Sequence, residues 1–193
     1  MQLPQRSRQH VSTSKTDLRV EGYGTVDEAN SAIGLAVALG GIPERVQQML
    51  GLISNELFDL GADLSTPLCT NPPWPPLRIG QENIDRLEQW CDELSADLPK
   101  LRSFLLPGGT PAGAQLHVAR TITRRAERIA WHCLETFGSD VAETTGEGGV
   151  NPLAITYLNR LSDLLFIMAR TVNGTTGEVL WAPGDQRYSS KSS

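Results

Sequence analysis

The segment Leu116-His117-Val118-Ala119-Arg120-Thr121-Ile122-Thr123-Arg124-Arg125-Ala126-Glu127-Arg128 places four arginines within nine residues. At 100° per residue, Arg120, Arg124 and Arg128 share one stripe of a helix. The apolar positions on the same helix are Val118, Ile122, Ala126 and Ile129. Guanidinium groups bind phosphates and carboxylates through paired, charge-assisted hydrogen bonds. The segment therefore predicts an amphipathic helix whose cationic face either binds an anion or forms surface ion pairs.

The composition of the whole chain is that of one globular domain. The chain has 193 residues, of which 39% are hydrophobic and 20% are charged, and its net charge is −5. An acidic chain of this kind is not expected to bind nucleic acid through its overall charge. Any anion-binding site must therefore be local, and the arginine-rich helix is the candidate.

The N-terminal sequence and the cysteines indicate where the protein resides. No apolar signal segment begins the chain, and no window resembles a membrane span. The three cysteines are widely spaced and show no metal-ligand spacing. We therefore expect a cytoplasmic protein with reduced thiols and no association with a membrane.

Capping residues, prolines and apolar periodicity predict five helices. They cover approximately residues 25–40, 43–64, 80–98, 111–137 and 152–170. The first begins at the capping box Thr25-Val26-Asp27-Glu28, and the fourth contains the arginines. The fold class is therefore an all-α bundle of five helices. Residues 1–22 are expected to form a mobile arm, residues 23–172 the bundle, and residues 173–193 a polar tail.

Two further regions combine polar or aromatic groups with apolar surroundings. Asn159 and Asp163 lie one turn apart in the last helix, so they either bind an arginine of the cationic helix at a cleft or form an interhelical pair. Asp27 lies in the predicted first turn of its helix, where a carboxylate complements the helix dipole. Phe104 precedes a turn-rich loop and is either a core aromatic or part of a ligand site.

Five blocks of the sequence, taken together, closely resemble the PduO-type ATP:cob(I)alamin adenosyltransferases. The blocks cover residues 23–36, 57–64, 106–109, 124–128 and 157–163, in the order of the family, and the likeness extends from about Lys15 to Arg170. The resemblance implies a five-helix bundle that forms a homotrimer and binds ATP and a corrinoid between subunits. It also implies transfer of the 5′-deoxyadenosyl group of ATP to cob(I)alamin, with release of triphosphate, and an adenosylcobalamin-dependent enzyme is an expected partner.

The resemblance assigns expected roles to individual residues. It implies that Phe104 keeps the lower axial face of cobalt free of a ligand, and that Asp27 and Arg120 form an ion pair between subunits. It implies that Lys15 lies beside the phosphates and that Asn159 contacts the nucleotide. The matching nucleotide-binding motif is Arg124, Arg125, Ala126, Glu127 and Arg128, with Glu127 orienting the arginines. Mg²⁺ accompanies ATP in the family, and no side chain can be named as its ligand.

The N-terminal sequence departs from the family pattern. Family members carry a glycine-rich Thr-Arg-Thr-Gly-Asp type of segment before the lysine matched by Lys15, whereas residues 1–14 contain no glycine. Residues with side chains do not reproduce the same backbone cradle for triphosphate. Three explanations of this departure are open. The start of the chain is truncated, or the protein is an adenosyltransferase with weakened ATP affinity, or it is a corrinoid-binding carrier or regulatory protein without turnover.

Overall fold

The computed structural model describes residues 14–174 and 177–184 and contains five α-helices in these ranges. They are α1 (Leu18–Leu39), α2 (Glu44–Ser65), α3 (Gln81–Ser95), α4 (Pro111–Phe137) and α5 (Pro152–Asn173). Helix α1 packs against α2 and α4, α4 packs against α5, and α3 packs against α5. No strand occurs in the described ranges, so the predicted all-α bundle of five helices is confirmed. None of the described helices is long and apolar enough to cross a membrane.

Helix α1 begins seven residues earlier than predicted. Its N-cap is Asp17, whose side chain accepts a hydrogen bond of 2.8 Å from the backbone N–H of Arg19. Thr25 lies inside the helix, where its hydroxyl donates to the carbonyl of Glu21 at 2.8 Å. The predicted start at Thr25 and the predicted arm of residues 1–22 are therefore wrong in extent, because packing against α2 and α4 outweighs the low helix propensity of Gly22. Residues 1–13 lie outside the described ranges.

A buried network holds the proline-rich connection between α2 and α3, residues 66–80, against the bundle. The side chain of Asp63, at the end of α2, is 0% exposed and is paired with Arg78. It also accepts hydrogen bonds from the backbone N–H of Ile79 at 2.8 Å and from Asn151 at 2.7 Å. Because Asn151 is the N-cap of α5, one carboxylate connects α2, the connection and α5. The connection is thereby held on the surface of the bundle.

A second buried carboxylate connects three helices. Glu56 of α2 accepts hydrogen bonds from the hydroxyl of Tyr157 in α5 at 2.7 Å and from Asn83 in α3 at 2.8 Å, and it is paired with Arg86 of α3. Burial raises the pKa of the Tyr157 hydroxyl far above its ordinary range. Tyr157 therefore remains a hydrogen-bond donor to Glu56, and the network fixes α3 on the outside of the bundle.

The glycine-rich connection between α4 and α5 is closely packed at its C-terminal end. Gly148 and Gly149 are buried, and a side chain at Gly148 would place its Cβ 1.6 Å from the carbonyl oxygen of Leu68. The backbone N–H of Leu68 donates to Gly149 at 3.1 Å, and Arg19 donates to both glycine carbonyls. These contacts attach the end of the connection to α1 and to the segment that follows α2.

Candidate functional site

Helix α4 exposes the arginines to solvent because the opposite side of the helix packs in the core. Thr110 caps its start through a hydrogen bond to the N–H of Gly113 at 3.1 Å, Pro111 opens the first turn, and Gly138 ends it. The buried positions recur every three or four residues. They are Ala112, Leu116, Ala119, Thr123, Ala126, Ala130 and Cys133. This spacing leaves the cationic stripe at the surface, and Val118, one of the apolar positions of the helix, is 46% exposed.

The four arginines have different surroundings. Arg120 is half-buried, and burial lowers its pKa below the ordinary value, with the neighbouring charge of Arg124 lowering it further. Arg125 forms an ion pair with Glu28 of α1. Arg128 donates to the backbone carbonyl of Arg124 at 3.1 Å. The Arg124 guanidinium is exposed and contacts no acceptor within residues 14–174 and 177–184, so it is available to an external anion.

Glu127 and Asn159 meet across the α4–α5 interface. The amide of Asn159 donates to the carboxylate of Glu127 at 2.9 Å, and both residues line a pocket of about 340 Å³ together with Trp131. Of the two alternatives for Asn159, the structure shows the interhelical pair, with Glu127 rather than an arginine as its partner. Glu127 makes no hydrogen bond to Arg124 within the described residues, and its role in orienting the arginines stays a prediction. Asp163 instead pairs with Arg160 on its own helix. The pocket still brings two of the predicted residues together.

The predicted site residues Phe104 and Arg120 line one cavity. This aromatic cavity, of about 660 Å³, is bounded by Leu101, Arg102, Ser103, Phe104, Leu105, Arg120, Phe166 and Trp181. Phe104 is 78% exposed, which excludes the interpretation that it is a core aromatic. Nε of Arg120 is buried and has no hydrogen-bond partner within the described residues. The cavity therefore combines an exposed aromatic surface with a guanidinium.

Trp181 is a site residue that the sequence analysis missed. Residues 177–181, here named the strap, run antiparallel to residues 103–106 with a bridge between Leu105 and Leu180. The Phe104 and Trp181 rings pack edge to face, with centroids 6.1 Å apart. The predicted polar tail is therefore wrong for the strap, and residues 185–193 lie outside the described ranges. The apolar run Val179-Leu180-Trp181 was the signal that this part of the tail packs.

The glycine-rich loop before α4 is built around an asparagine rather than around a phosphate. The side chain of Asn173 accepts from the backbone N–H of Thr110 at 2.9 Å and donates to the carbonyl of Gly108 at 2.8 Å. Gly109 has φ +107°, and a Cβ on Gly109 or Gly113 would lie 2.3 or 1.9 Å from Asn173. These glycines are required because Asn173 occupies the space that side chains would fill.

The remaining predicted residues lie elsewhere on the chain. Asp27 is exposed in a groove of about 490 Å³ between α1 and α2, which Tyr23 and Phe58 also line. Asp27 and Arg120 therefore line different cavities of one chain and form no ion pair within it. Lys15 is exposed just before α1. The side chain of Ala126 is 0% exposed, so a nucleotide contact through that side chain is excluded by its position in the core.

His117 is a buried titratable group behind the aromatic cavity. It is 4% exposed, its ring centroid lies 6.0 Å from that of Phe166, and its Nδ1 has no hydrogen-bond partner within the described residues. Burial lowers the pKa of His117 below its ordinary value of 6.5; Arg120 lowers it further and Glu178 opposes the shift. His117 is therefore neutral in the folded protein near neutral pH.

We expect acid to destabilise the protein partly through His117. Because the unfolded chain binds the proton more tightly than the folded one, the stability associated with neutral His117 is complete above pH 6.5 and is lost as the pH falls below that value. The free energy of unfolding, measured in urea at pH 7.5 and 5.5, should decrease less in His117→Phe than in the wild type. His132→Gln, an exposed change on the same helix, should retain the wild-type decrease. Equal decreases in all three proteins would exclude this contribution.

Comparisons with known proteins find one family that matches most of this chain. Residues 7–172 match the family described as cobalamin adenosyltransferase. The chain is 53% identical over 177 residues to a corrinoid adenosyltransferase of Mycobacterium tuberculosis (strain ATCC 25618 / H37Rv), which covers 92% of this chain and 86% of the relative. It is 42% identical over 168 residues to a corrinoid adenosyltransferase of Bacillus subtilis (strain 168), covering 86% and 79% of the two chains.

A solved structure shows the same likeness in three dimensions. It is a variant PduO-type ATP:corrinoid adenosyltransferase from Lactobacillus reuteri complexed with cobalamin and ATP. Its TM-score to this chain is 0.71 at 35% sequence identity, and the match covers 83% of each chain. The family resemblance inferred from the five sequence blocks is thereby confirmed.

Proposed function

The chain belongs to the cobalamin adenosyltransferase family, and from this premise we propose that it transfers the 5′-deoxyadenosyl group of ATP to cob(I)alamin. It is an enzyme of the corrinoid adenosyltransferase class. Co(I) attacks C5′ of ATP, a cobalt–carbon bond forms, and the C5′–oxygen bond breaks with its electron pair leaving on triphosphate. The products are adenosylcobalamin and triphosphate. Because cobalt is the nucleophile, the protein contributes binding, orientation and charge stabilisation.

Nucleotide binding is proposed at the exposed cationic face of α4. Arg124 supports this proposal because its guanidinium is free within the described residues and lies one turn from Arg120. Charge grows on the bridging oxygen as triphosphate leaves, and a positioned cation stabilises it most in that state. Arg125, Arg128 and Lys15 would add positive charge, and the pocket formed by Glu127 and Asn159 would receive the nucleoside part.

Corrinoid binding is proposed in the aromatic cavity. The observation that most strongly supports the proposed function is the exposed ring of Phe104, which forms a wall of this cavity beside Arg120. A planar aromatic surface packs against the corrin face and excludes a lower axial ligand by occupying its space. Removal of that ligand favours the Co(I) state. Trp181 would extend the same apolar surface.

A homotrimer with shared sites is proposed as the assembly. Its support is that Asp27 and Arg120 line different cavities of a single chain, so a contact between them requires two subunits. The exposed apolar side chains of the α1–α2 groove, including Phe58 at 70% exposure, are also suited to burial against a neighbour. An adenosylcobalamin-dependent enzyme remains the expected recipient of the product.

Mg²⁺ is proposed only as a companion of ATP. The described residues contain no group of three or more His, Cys, Asp or Glu side chains that could hold a metal ion. Mg²⁺ commonly keeps several waters and binds substrate phosphates directly. We therefore assign no protein ligand to the ion and no step to it.

The proposed function is tested by measuring adenosylcobalamin formation from reduced cobalamin and Mg-ATP. We expect turnover by the wild type, and a loss of roughly tenfold or more in kcat/KM for the corrinoid in Phe104→Ala, equivalent to about 1.4 kcal/mol. Trp74→Ala is the matched control, because Trp74 is an exposed aromatic of the proline-rich connection. Tight cobalamin binding by the wild type without ATP binding or product would identify a non-catalytic corrinoid carrier instead.

A further inference from the structure

A nearly buried ion pair joins the strap to the end of α5. Nε of Arg170 donates to Oε1 of Glu178 at 2.6 Å, and its Nη2 donates to the carbonyl of Pro99 at 2.8 Å. The two side chains are only 8% and 13% exposed. Arg170 thus binds the strap and the segment leading to Phe104 at the same time.

The strap is also bonded directly to the segment that carries Phe104. The N–H of Leu106 donates to the carbonyl of Val179 at 2.9 Å, and the N–H of Trp181 donates to the carbonyl of Phe104 at 2.7 Å. The hydroxyl of Ser103 donates to the carbonyl of Trp181 at 2.9 Å. Because these bonds run across a single short ladder, movement of the strap changes the position of both aromatic rings.

Burial of apolar side chains contributes little to holding the strap in place. Trp181 is 39% exposed, Leu180 is 49% exposed and Val179 is 58% exposed, so burial of these side chains contributes only part of what it would in a core. A two-stranded pairing of this length is marginal in water without further packing. The Arg170–Glu178 pair, by contrast, is nearly buried and lies at the start of the strap, before the three exposed residues.

We propose that Arg170 and Glu178 are positioning residues for corrinoid binding: their ion pair fixes the strap, and the strap holds Phe104 and Trp181 in the geometry that receives the corrin face. This inference rests on the proposed function of the aromatic cavity. Neither residue touches the cavity, so both act through the strap. Breaking the pair should weaken corrinoid binding and leave nucleotide binding unchanged, since the arginines of α4 are held by the core of the bundle.

The test compares three variants in the adenosylation assay. Glu178→Ala removes the anchor, Trp181→Ala removes the cavity residue itself, and Glu93→Ala breaks a more exposed ion pair, Arg45–Glu93, as the matched control. We expect Glu178→Ala and Trp181→Ala each to raise the KM for cob(I)alamin roughly tenfold, with the KM for ATP changed less than about twofold. Glu93→Ala should retain both constants.

The spectrum of bound cob(II)alamin gives a second readout that loss of stability alone would not change. It reports the fraction of cobalt that has lost its lower axial ligand, and we expect this fraction to fall in Glu178→Ala. An unchanged corrinoid KM and spectrum in Glu178→Ala, alongside a raised KM in Trp181→Ala, would overturn the anchoring role and leave the proposed function standing. Unchanged constants in both Trp181→Ala and Phe104→Ala would instead overturn the assignment of the cavity.

Conservative variants keep the test decisive if Glu178→Ala does not fold. Arg170→Lys retains the charge and loses the two-pronged geometry, and Glu178→Gln retains the shape and loses the charge. We expect both to raise the corrinoid KM by less than the alanine variant while melting at temperatures near that of the wild type. A wild-type corrinoid KM in both folded variants would contradict the proposal.

Discussion

Replacement of Arg124 by alanine is expected to lower kcat about 100- to 1,000-fold, which corresponds to roughly 2.7–4 kcal/mol of lost transition-state stabilisation. We propose that Arg124 meets the departing triphosphate, because its guanidinium is exposed and free of protein acceptors within the described residues. Loss of a cation that acts most strongly in the transition state lowers kcat more than it raises the KM for ATP. Steady-state kinetics with both substrates varied separately measures the two effects.

A control variant and a mixing experiment separate the role of Arg124 from a general effect of losing an arginine. Arg45→Ala, an exposed arginine of α2 distant from α4, should retain the wild-type kcat. Mixed assemblies of Arg124→Ala and Asp27→Ala, formed by unfolding and refolding the two variants together, should be more active than either variant alone if each site takes residues from two chains. Absence of any gain in the mixture would argue against the shared site, and a near-normal kcat in Arg124→Ala would remove this residue from the proposed mechanism.

Replacement of Asp63 by alanine is expected to lower the free energy of unfolding by about 3–5 kcal/mol, since it removes the counter-charge of a partly buried guanidinium and leaves a buried backbone N–H without its acceptor. The guanidinium is that of Arg78 and the N–H is that of Ile79, while the N-cap residue Asn151 loses one of its two acceptors. The change detaches the proline-rich connection and removes support from the start of α5. Denaturant unfolding followed by circular dichroism measures the loss.

Asp59→Ala is the matched control for Asp63. Asp59 lies one turn earlier on α2 and is half-buried, and its carboxylate accepts no hydrogen bond within the described residues. We expect its replacement to change the free energy of unfolding by less than about 0.5 kcal/mol, as for most substitutions outside buried networks. If the two variants lose equal stability, the network is not the cause of the Asp63 effect.

The helices were predictable where local chemistry and packing agree. The bounds of α4 follow from Thr110, Pro111 and Gly138, which are adjacent in sequence to the residues they cap or terminate. The start of α1 was not predictable in the same way, because Gly22 lowers helix propensity locally and only its burial against neighbouring helices compensates. The end of α5 at Asn173 also depends on a distant contact, with the loop at Thr110.

The residues of the candidate site also divide into those with a local sequence signal and those whose partners are distant in the sequence. The arginine stripe and the polar position of Asn159 are visible as helical periodicity, which is a local signal. Which of the two alternatives holds for Asn159 was not predictable, because a helical wheel gives the face of a residue without the rotation of the neighbouring helix. Glu178 and Trp181 were missed because their partners lie 8 to 78 residues away along the chain and share no period with them.

Because Arg120 and Arg124 lie on one continuous helix, α4 fixes the distance between the two proposed substrate sites. Four residues of α-helix rise about 6 Å, and this spacing cannot be adjusted by side-chain motion alone. One inserted residue between them would rotate Arg124 by about 100° and advance it by about 1.5 Å, turning it away from its stripe. Length variation is therefore incompatible with this part of α4, whereas the exposed stretch at residues 143–147 can change length without altering the distance between cobalt and triphosphate.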